Sequence, residues 1–251
     1  MADVLLSATK LTKRLGGIVA SDAVDLEVRH GELHAVIGPN GAGKTTLVGQ
    51  LSGEVRPDSG AIWFAGTDVT HLPIYQRARL GFGRSFQITN IVRELTALDN
   101  AALAVQAHDG HSFRFWRPAR SDAALCEPAR AMLEKVDLAA RANVLAGHLS
   151  HGEMRALEMA MALAIRPKLL LLDEPLAGMG PDESARMVRL LRALKAEVTI
   201  LLVEHDVEAI FALADRISVL VSGRVIASGQ PDEIRRDPQV QRAYLGDEAL
   251  P

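Results

Sequence analysis

A single cysteine, Cys126, stands among 251 residues, so no disulfide can close within the chain and a reducing compartment is the expected home. Cys126 falls in the alanine-rich run AALCEPARAML and reads as a buried helix thiol rather than a nucleophile. Aromatic residues make up only 4%, and 28 Lys and Arg against 31 Asp and Glu leave a net charge of −3. That balance supplies neither the basic footprint nor the stacking platforms of a polynucleotide binder. No apolar run approaches the roughly 18 residues of a membrane-spanning helix. The opening MADVLLSATKLTKR is too polar for a secretory signal, so a soluble chain is expected, free to dock on a membrane protein. Internal repeats, low-complexity tracts and flexible linkers are also missing, and the length suffices for a sizeable core.

Against these absences stands one dense motif, GPNGAGKTT, comprising Gly38, Pro39, Asn40, Gly41, Ala42, Gly43, Lys44, Thr45 and Thr46. It fits G-x-x-x-x-G-K-[ST], in which backbone N–H groups wrap phosphate oxygens, the lysine reaches the terminal phosphates and the next hydroxyl ligates Mg2+. Glycine is needed because a wrapping backbone takes positive φ and approaches the anion closely. Leu33 to Ile37 reads as a buried strand leading in, and Thr45 to Leu51 as a helix whose N-terminus faces the phosphates.

The first thirty residues alternate as half-buried strands do, in Val4 to Leu6 and Val24 to Val28, and Gly60 to Phe64 suggests a further short strand. From about Arg84 to Ala164 the pattern turns helical, interrupted by the polar and aromatic loop His108 to Asp122. His108 and His111 in that loop read as solvated rather than metal-binding. Strand signals return at Leu169 to Leu172, Thr199 to Val203, Ile217 to Val221 and Val225 to Ala227, as continuous apolar runs that suit parallel strands covered on both faces. The charged tail after Gly229 opens on Pro231 and reads as a short surface helix.

LLLLDEP, Leu169 to Pro175, sets two acidic residues directly after four leucines. A carboxylate at the mouth of a buried strand is costly unless a cation or hydrogen bonds compensate it. Beside a triphosphate that cation is expected to be Mg2+, with the Thr45 hydroxyl as a direct ligand and Asp173 in its inner or outer shell, and Glu174 stands next to orient or deprotonate an attacking water.

The order of GPNGAGKTT, the glutamine Gln87 in GRSFQ, LSHGE at Leu149 to Glu153, LLLLDEP, and VEHD at Val203 to Asp206 resembles the ATP-binding subunits of ABC transporters across nearly the whole chain. The resemblance implies an α/β fold: a P-loop NTPase core of ABC type with an N-terminal antiparallel β subdomain and an inserted helical subdomain. It implies one domain over 1–251, with core and β subdomain in 1–83 and 165–228, the helical subdomain with the signature in 84–164, and a helical tail in 229–251. It implies ATP and Mg2+ as cofactors, with Gln87 sensing the metal and the membrane partner, and His205 contacting the γ-phosphate. LSHGE corresponds to the family's LSGGQ signature, so Ser150, His151, Gly152 and Glu153 would close over the ATP held by a partner subunit. Physically, Ser150 and Glu153 also form a capping box for the helix that follows.

Three positions depart from that family's pattern. Leu15 stands where an aromatic ring usually meets adenine, leaving the base to apolar packing with Ile18 and Ala20. His151 replaces the first signature glycine, and Gly180 occupies the usual aspartate position after the catalytic glutamate. RLGG, GRSFQ, LSHGE, DEPLAGM and GRVIASGQPDEIRRDPQVQRAYLG resemble more narrowly the ATPases of importers for branched-chain amino acids, amides and urea. The implied partners are a second ATPase subunit, itself or a paralogue, the transmembrane permease subunits, and indirectly a solute-binding protein, with no nucleic acid. The implied place is the cytoplasmic face of the inner membrane, held peripherally. Rival readings are a nucleic-acid-processing or ribosome-associated ATPase of the same superfamily, which would carry coiled-coil inserts, zinc cysteines or two cassettes, and a small-molecule kinase, which would lack LSHGE and His205.

Overall fold

A computed structural model describes residues 4–84, 91–109 and 122–244. Gln87 and most of the loop between His108 and Asp122, His111 included, lie outside the described residues.

Two sheets organise the chain. The first is antiparallel and combines β1 (Val4–Leu15), β2 (Ile18–Arg29), β4 (Ser59–Phe64) and β5 (Thr67–Asp68) in the order β2-β1-β4-β5. The second combines β3 (Leu33–Ile37), β6 (Phe82–Arg84), β7 (Leu169–Asp173), β8 (Thr199–Val203), β9 (Arg216–Val221) and β10 (Arg224–Gly229) in the order β10-β9-β3-β8-β7-β6. Every pairing in this second sheet is parallel except the β9–β10 hairpin.

The apolar runs become strands because both faces of the parallel sheet are covered. All five residues of β3, β7 and β8 are buried. Alternate side chains serve different cores, as a period of two requires. Leu169, Leu171, Leu201 and Val203 pack toward the antiparallel sheet and α1 (Lys44–Ser52), whereas Leu170, Leu172, Ile200 and Leu202 join the helical side. The four leucines of β7 are fully buried, which favours folding by roughly 6 to 12 kcal/mol before chain entropy is counted.

The short helix α2 (Ile74–Arg79) precedes β6, and the helical side is built from α3 (Ala97–Asp109), α4 (Ala123–Lys135) and α5 (His151–Ala164). Helix α3 runs two residues into the stretch expected to be loop. The Asp122 side chain accepts from the Ala124 N–H at 3.1 Å to start α4, and Cys126 on that helix is half-buried. The edge strand β6, only three residues long, carries too few residues for a periodic signal and straddles the boundary near Arg84 where the helical pattern begins.

Among the described residues four further helices carry the C-terminal part: α6 (Pro181–Leu194), α7 (Val207–Leu213), α8 (Pro231–Arg236) and α9 (Pro238–Tyr244). The tail is therefore two short helices rather than one. Ile234 and Val240 anchor it in a core with Ile210, Ile217 and Val219, because its charged residues mask an apolar stripe. Helix α7 is held from both sides. Lys195 donates to the Leu213 carbonyl at 3.2 Å, and the Arg235 guanidinium lies 4.7 Å from the Phe211 ring centroid.

Candidate functional site

The loop between β3 and α1 is shaped by close backbone approach. A Cβ on Gly38 would stand 2.1 Å from the Leu220 carbonyl oxygen, and one on Gly43 2.1 Å from that of Ala20. Gly41 and Gly43 also take φ of 78° and 102°, which side-chain-bearing residues rarely adopt. The loop thus turns from β3 into α1 in a space open only to glycine, and the first-turn N–H groups of α1 are left outside the helix ladder, facing away from it. An N-terminus so exposed favours an anion through both hydrogen bonds and the helix dipole.

Lys44 folds back over this loop, its Nζ donating to the Gly38 and Pro39 carbonyls at 2.6 and 3.1 Å. Burial pulls its pKa below the ordinary lysine value, opposed by the carboxylates of Glu174 and Asp173. Those two acids therefore lie within electrostatic reach of the loop lysine, as the sequence order implied. Thr45 is exposed at the first turn of α1, Thr46 half-buried, and Ala42 buried.

Asp173 closes β7, is 1% exposed, and neither carboxylate oxygen has a hydrogen-bond partner among the described residues. Burial first, then the like charges of Glu174, Glu204 and Glu54, raise its pKa to about 6, with Arg84 opposing. A buried, partnerless carboxylate is expensive. A divalent cation with oxygen ligands would compensate it, and one carboxylate with a threonine hydroxyl suits Mg2+, which takes few protein ligands and completes its shell with water and phosphate oxygens. The residues present fit that ion. No group of three or more His, Cys, Asp or Glu side chains among the described residues gathers as a metal cage of its own.

Glu174 adopts φ of 50° and its N–H donates to the Val203 carbonyl at 2.8 Å. His205 follows β8 with its side chain 61% exposed and Nδ1 3.4 Å from Glu204 Oε2. Helix α7 begins immediately after it, capped by Asp206, whose side chain accepts from the Ala209 N–H at 3.0 Å.

At the start of α5, Ser150 Oγ accepts from the Glu153 N–H at 3.2 Å and Glu153 Oε2 from the Ser150 N–H at 2.8 Å, completing the capping box that the spacing implied. Glu153 Oε1 also meets Arg141 Nε at 3.0 Å. Ser150, Gly152 and Glu153 line an open groove of about 460 Å³ between α4, α5 and α6. Gly152 faces Glu183, whose Oε1 would stand 2.4 Å from a Cβ there. The exposed His151 stands beside Gly178, so its extra bulk is accommodated against the loop that follows Glu174. A Cβ on Gly180 would meet nothing within 4 Å, so that position has room for a side chain.

At the other end, Leu15 and Ile18 pair across the β1–β2 turn and are 50% and 72% exposed. Ala20, two residues after Ile18 on β2, abuts Gly43, so this exposed apolar turn opens the strand that flanks the phosphate loop.

Sequence reasoning missed Arg77, Arg84 and Glu204. Arg77, 2% exposed, donates to the carbonyls of Gln50 and Leu51 at 2.9 and 2.6 Å, capping the C-terminal end of α1, and to those of Leu72 and Thr70. Arg84 pairs with Glu54 at 2.5 Å and donates to Ser52 Oγ at 2.7 Å, joining β6 to the same end of α1. Lone charged residues in variable surroundings carry no periodic signal. Only the GRSFQ context of Arg84 and the VEHD context of Glu204 could have drawn attention.

A family model described as "ABC transporter" matches residues 21–177, and one described as "Branched-chain amino acid ATP-binding cassette transporter" matches residues 224–249. The chain is 39% identical over 254 residues to the high-affinity branched-chain amino acid transport ATP-binding protein BraF of Pseudomonas aeruginosa, covering 98% of this chain and all of that protein. It is 36% identical to the lipopolysaccharide export system ATP-binding protein LptB of Acidithiobacillus ferridurans, covering 97% of this chain and 98% of that one. Among solved structures it resembles the ADP conformation of an ATP-binding cassette of an ABC transporter, with a TM-score of 0.84 and 28% identity over 97% of this chain and 99% of the other.

Proposed function

The chain belongs to the ABC transporter family, and from that premise we propose that it is the ATP-hydrolysing subunit of a membrane importer for branched-chain amino acids or closely related solutes. The single observation that carries the hydrolytic reading is Asp173, buried at the end of β7 without a hydrogen-bond partner among the described residues, followed at once by Glu174 and within electrostatic reach of Lys44. An arrangement that leaves a carboxylate uncompensated suits a protein that takes up a cation with its nucleotide. The solute class is supported by the match over residues 224–249, because overall likeness extends to an export-system protein as well.

In this reading Lys44 and the N–H groups at the start of α1 hold the β- and γ-phosphates. Asp173, Thr45 and Gln87 would hold Mg2+, which supplies neutralisation of phosphate charge when bound. Glu174 accepts the proton of the attacking water or orients it, and His205 supports the γ-phosphate. The proton leaves water for the Glu174 carboxylate as the oxygen attacks phosphorus, and the bond to ADP breaks. Leu15 and Ile18 offer adenine an apolar edge rather than a stacking ring.

Ser150, His151, Gly152 and Glu153 would meet the nucleotide of a second ATPase subunit, this chain again or a paralogue. Closure of the two would be transmitted to permease subunits near Gln87, with a solute-binding protein delivering cargo outside. That work places the chain peripherally at the cytoplasmic face of the inner membrane. No helix among the described residues is long and apolar enough to cross a membrane.

The test is reconstitution with permease subunits, followed by ATPase assay and uptake of leucine, isoleucine and valine. Glu174→Gln is expected to retain ATP, accumulate ATP-bound dimers and lose hydrolysis by roughly two to four orders of magnitude. Hydrolysis by Glu174→Gln at the parent rate would overturn the catalytic assignment. Uptake of none of the three amino acids by an active complex would overturn the solute.

A further inference from the structure

The backbone beyond β7 is tied twice to the end of β8. Glu174 donates its N–H to the Val203 carbonyl at 2.8 Å, and Leu176, two residues on, donates its N–H to Glu204 Oε1 at 2.7 Å. The other oxygen, Oε2, accepts from the His205 N–H at 2.9 Å and stands 3.4 Å from Nδ1 of the same ring. Glu204 is completely buried.

A carboxylate fits this place for a reason of inventory. It offers acceptors on both oxygens and no donor, so it satisfies two converging N–H groups at once. An amide has one acceptor and would turn its own N–H toward one of them. A hydroxyl is too short to span the gap. Burying a charge for a purely architectural tie is wasteful, since β8 is already paired on both sides by β3 and β7. The tie lands instead on the two segments that carry Glu174 and His205. Glu174 itself sits at φ of 50°, a conformation that persists only where neighbouring contacts enforce it.

We propose that Glu204 is a positioning residue for ATP hydrolysis, its buried carboxylate fastening the loop after Glu174 and the segment of His205 into one unit. This rests on the assignment of Glu174 and His205 to the hydrolytic site. Both oxygens of Glu204 are taken up by backbone N–H groups, so it acts through the two segments it holds.

The variants are Glu204→Gln, which keeps size but loses one acceptor, and Glu204→Asp, which keeps the charge on a shorter stem. In the assembled transporter, Glu204→Gln is expected to lower kcat at least about tenfold with KM for ATP within about twofold of the parent, and Glu204→Asp to recover part of the loss. In the isolated chain, amide hydrogen exchange at Leu176 and His205 is expected to rise about tenfold in Glu204→Gln while the β7 and β8 amides stay protected. Parent-like kcat in Glu204→Gln, unchanged exchange at both amides, or a fall in ATP binding as large as the fall in kcat would each overturn the proposal. If the parent complex hydrolyses no ATP, the assigned function fails instead, and the exchange measurement still decides whether Glu204 holds the two segments.

Discussion

Gly43 and Ala20 stand back to back: a Cβ on Gly43 would lie 2.1 Å from the Ala20 carbonyl oxygen, on a residue whose φ is already 102°. This contact seats the phosphate loop against β2 and brings the exposed turn of Leu15 and Ile18 to that side of the loop. Gly43→Ala must therefore move the loop or strain it. A loss of about 2 to 4 kcal/mol in stability is expected from backbone strain and overpacking together. Urea unfolding measures it, and nucleotide titration should show weakened binding in the fraction that remains folded. An unchanged midpoint would mean that the loop relaxes freely.

The turn itself can be probed by Leu15→Tyr. In the proposed site leucine would give adenine burial without stacking, so a ring there should raise ATP affinity by up to about tenfold if roughly 1.4 kcal/mol of stacking is realised. The parent should discriminate poorly between ATP and GTP, since the triphosphate contacts are common to both. Titration of both nucleotides against both proteins checks this, and a strong ATP preference in the parent would place adenine elsewhere.

Asp173 gives the chain a pH signature. Its folded pKa is raised to about 6 by burial and like charge, from an ordinary 3.8. Between those values the folded state holds the proton more tightly than the unfolded one, so the stability of the nucleotide-free chain should fall as pH rises through that window, by at most about 3 kcal/mol. Asp173→Asn removes the penalty. It should unfold at a higher temperature than the parent at pH 8 without nucleotide, and lose most of the stabilisation that Mg2+ and ATP confer on the parent. Thermal melts at pH 5 and pH 8, with and without Mg2+ and ATP, separate these effects. Identical pH responses in parent and variant would show that Asp173 does not carry them.

Arg77 caps the C-terminal end of the very helix whose N-terminus is proposed to hold the phosphates. Its pKa is pulled down to about 10 by burial, yet at neutral pH it stays charged and donates to four carbonyls. Arg77→Met keeps the bulk but removes four hydrogen bonds to buried carbonyls, of which, among the described residues, only that of Gln50 keeps a second donor in the Gly53 N–H. A loss of about 3 to 5 kcal/mol is expected, together with weaker ATP binding as α1 frays. Arg77→Lys should recover only part, since an ammonium lacks the planar fork that reaches the carbonyls from both sides. Denaturation curves of the three proteins test the order.

Much of this was written in the chain itself. The runs at Leu33, Leu169 and Thr199 determined buried parallel strands, because short, mostly apolar runs without polar alternation are tolerated only where both faces are covered. GPNGAGKTT determined the turn between β3 and α1, because only glycine accepts the close approaches at Gly38 and Gly43. The capping box of Ser150 and Glu153 was legible because it is a local hydrogen-bond pattern with fixed spacing. Tertiary structure alone decided what was distant in sequence: that β6 pairs with β7, that Arg77 and Arg84 grip the far end of α1, and that the charged tail buries Ile234 and Val240. The same holds for Glu204. Nothing local distinguishes it from a surface glutamate after a strand, and its meaning appears only when folding brings the Leu176 N–H, 28 residues away, within 2.7 Å of its carboxylate. Periodicity and short motifs encode contacts within a few residues, whereas a buried charge is explained by partners that only the assembled fold supplies.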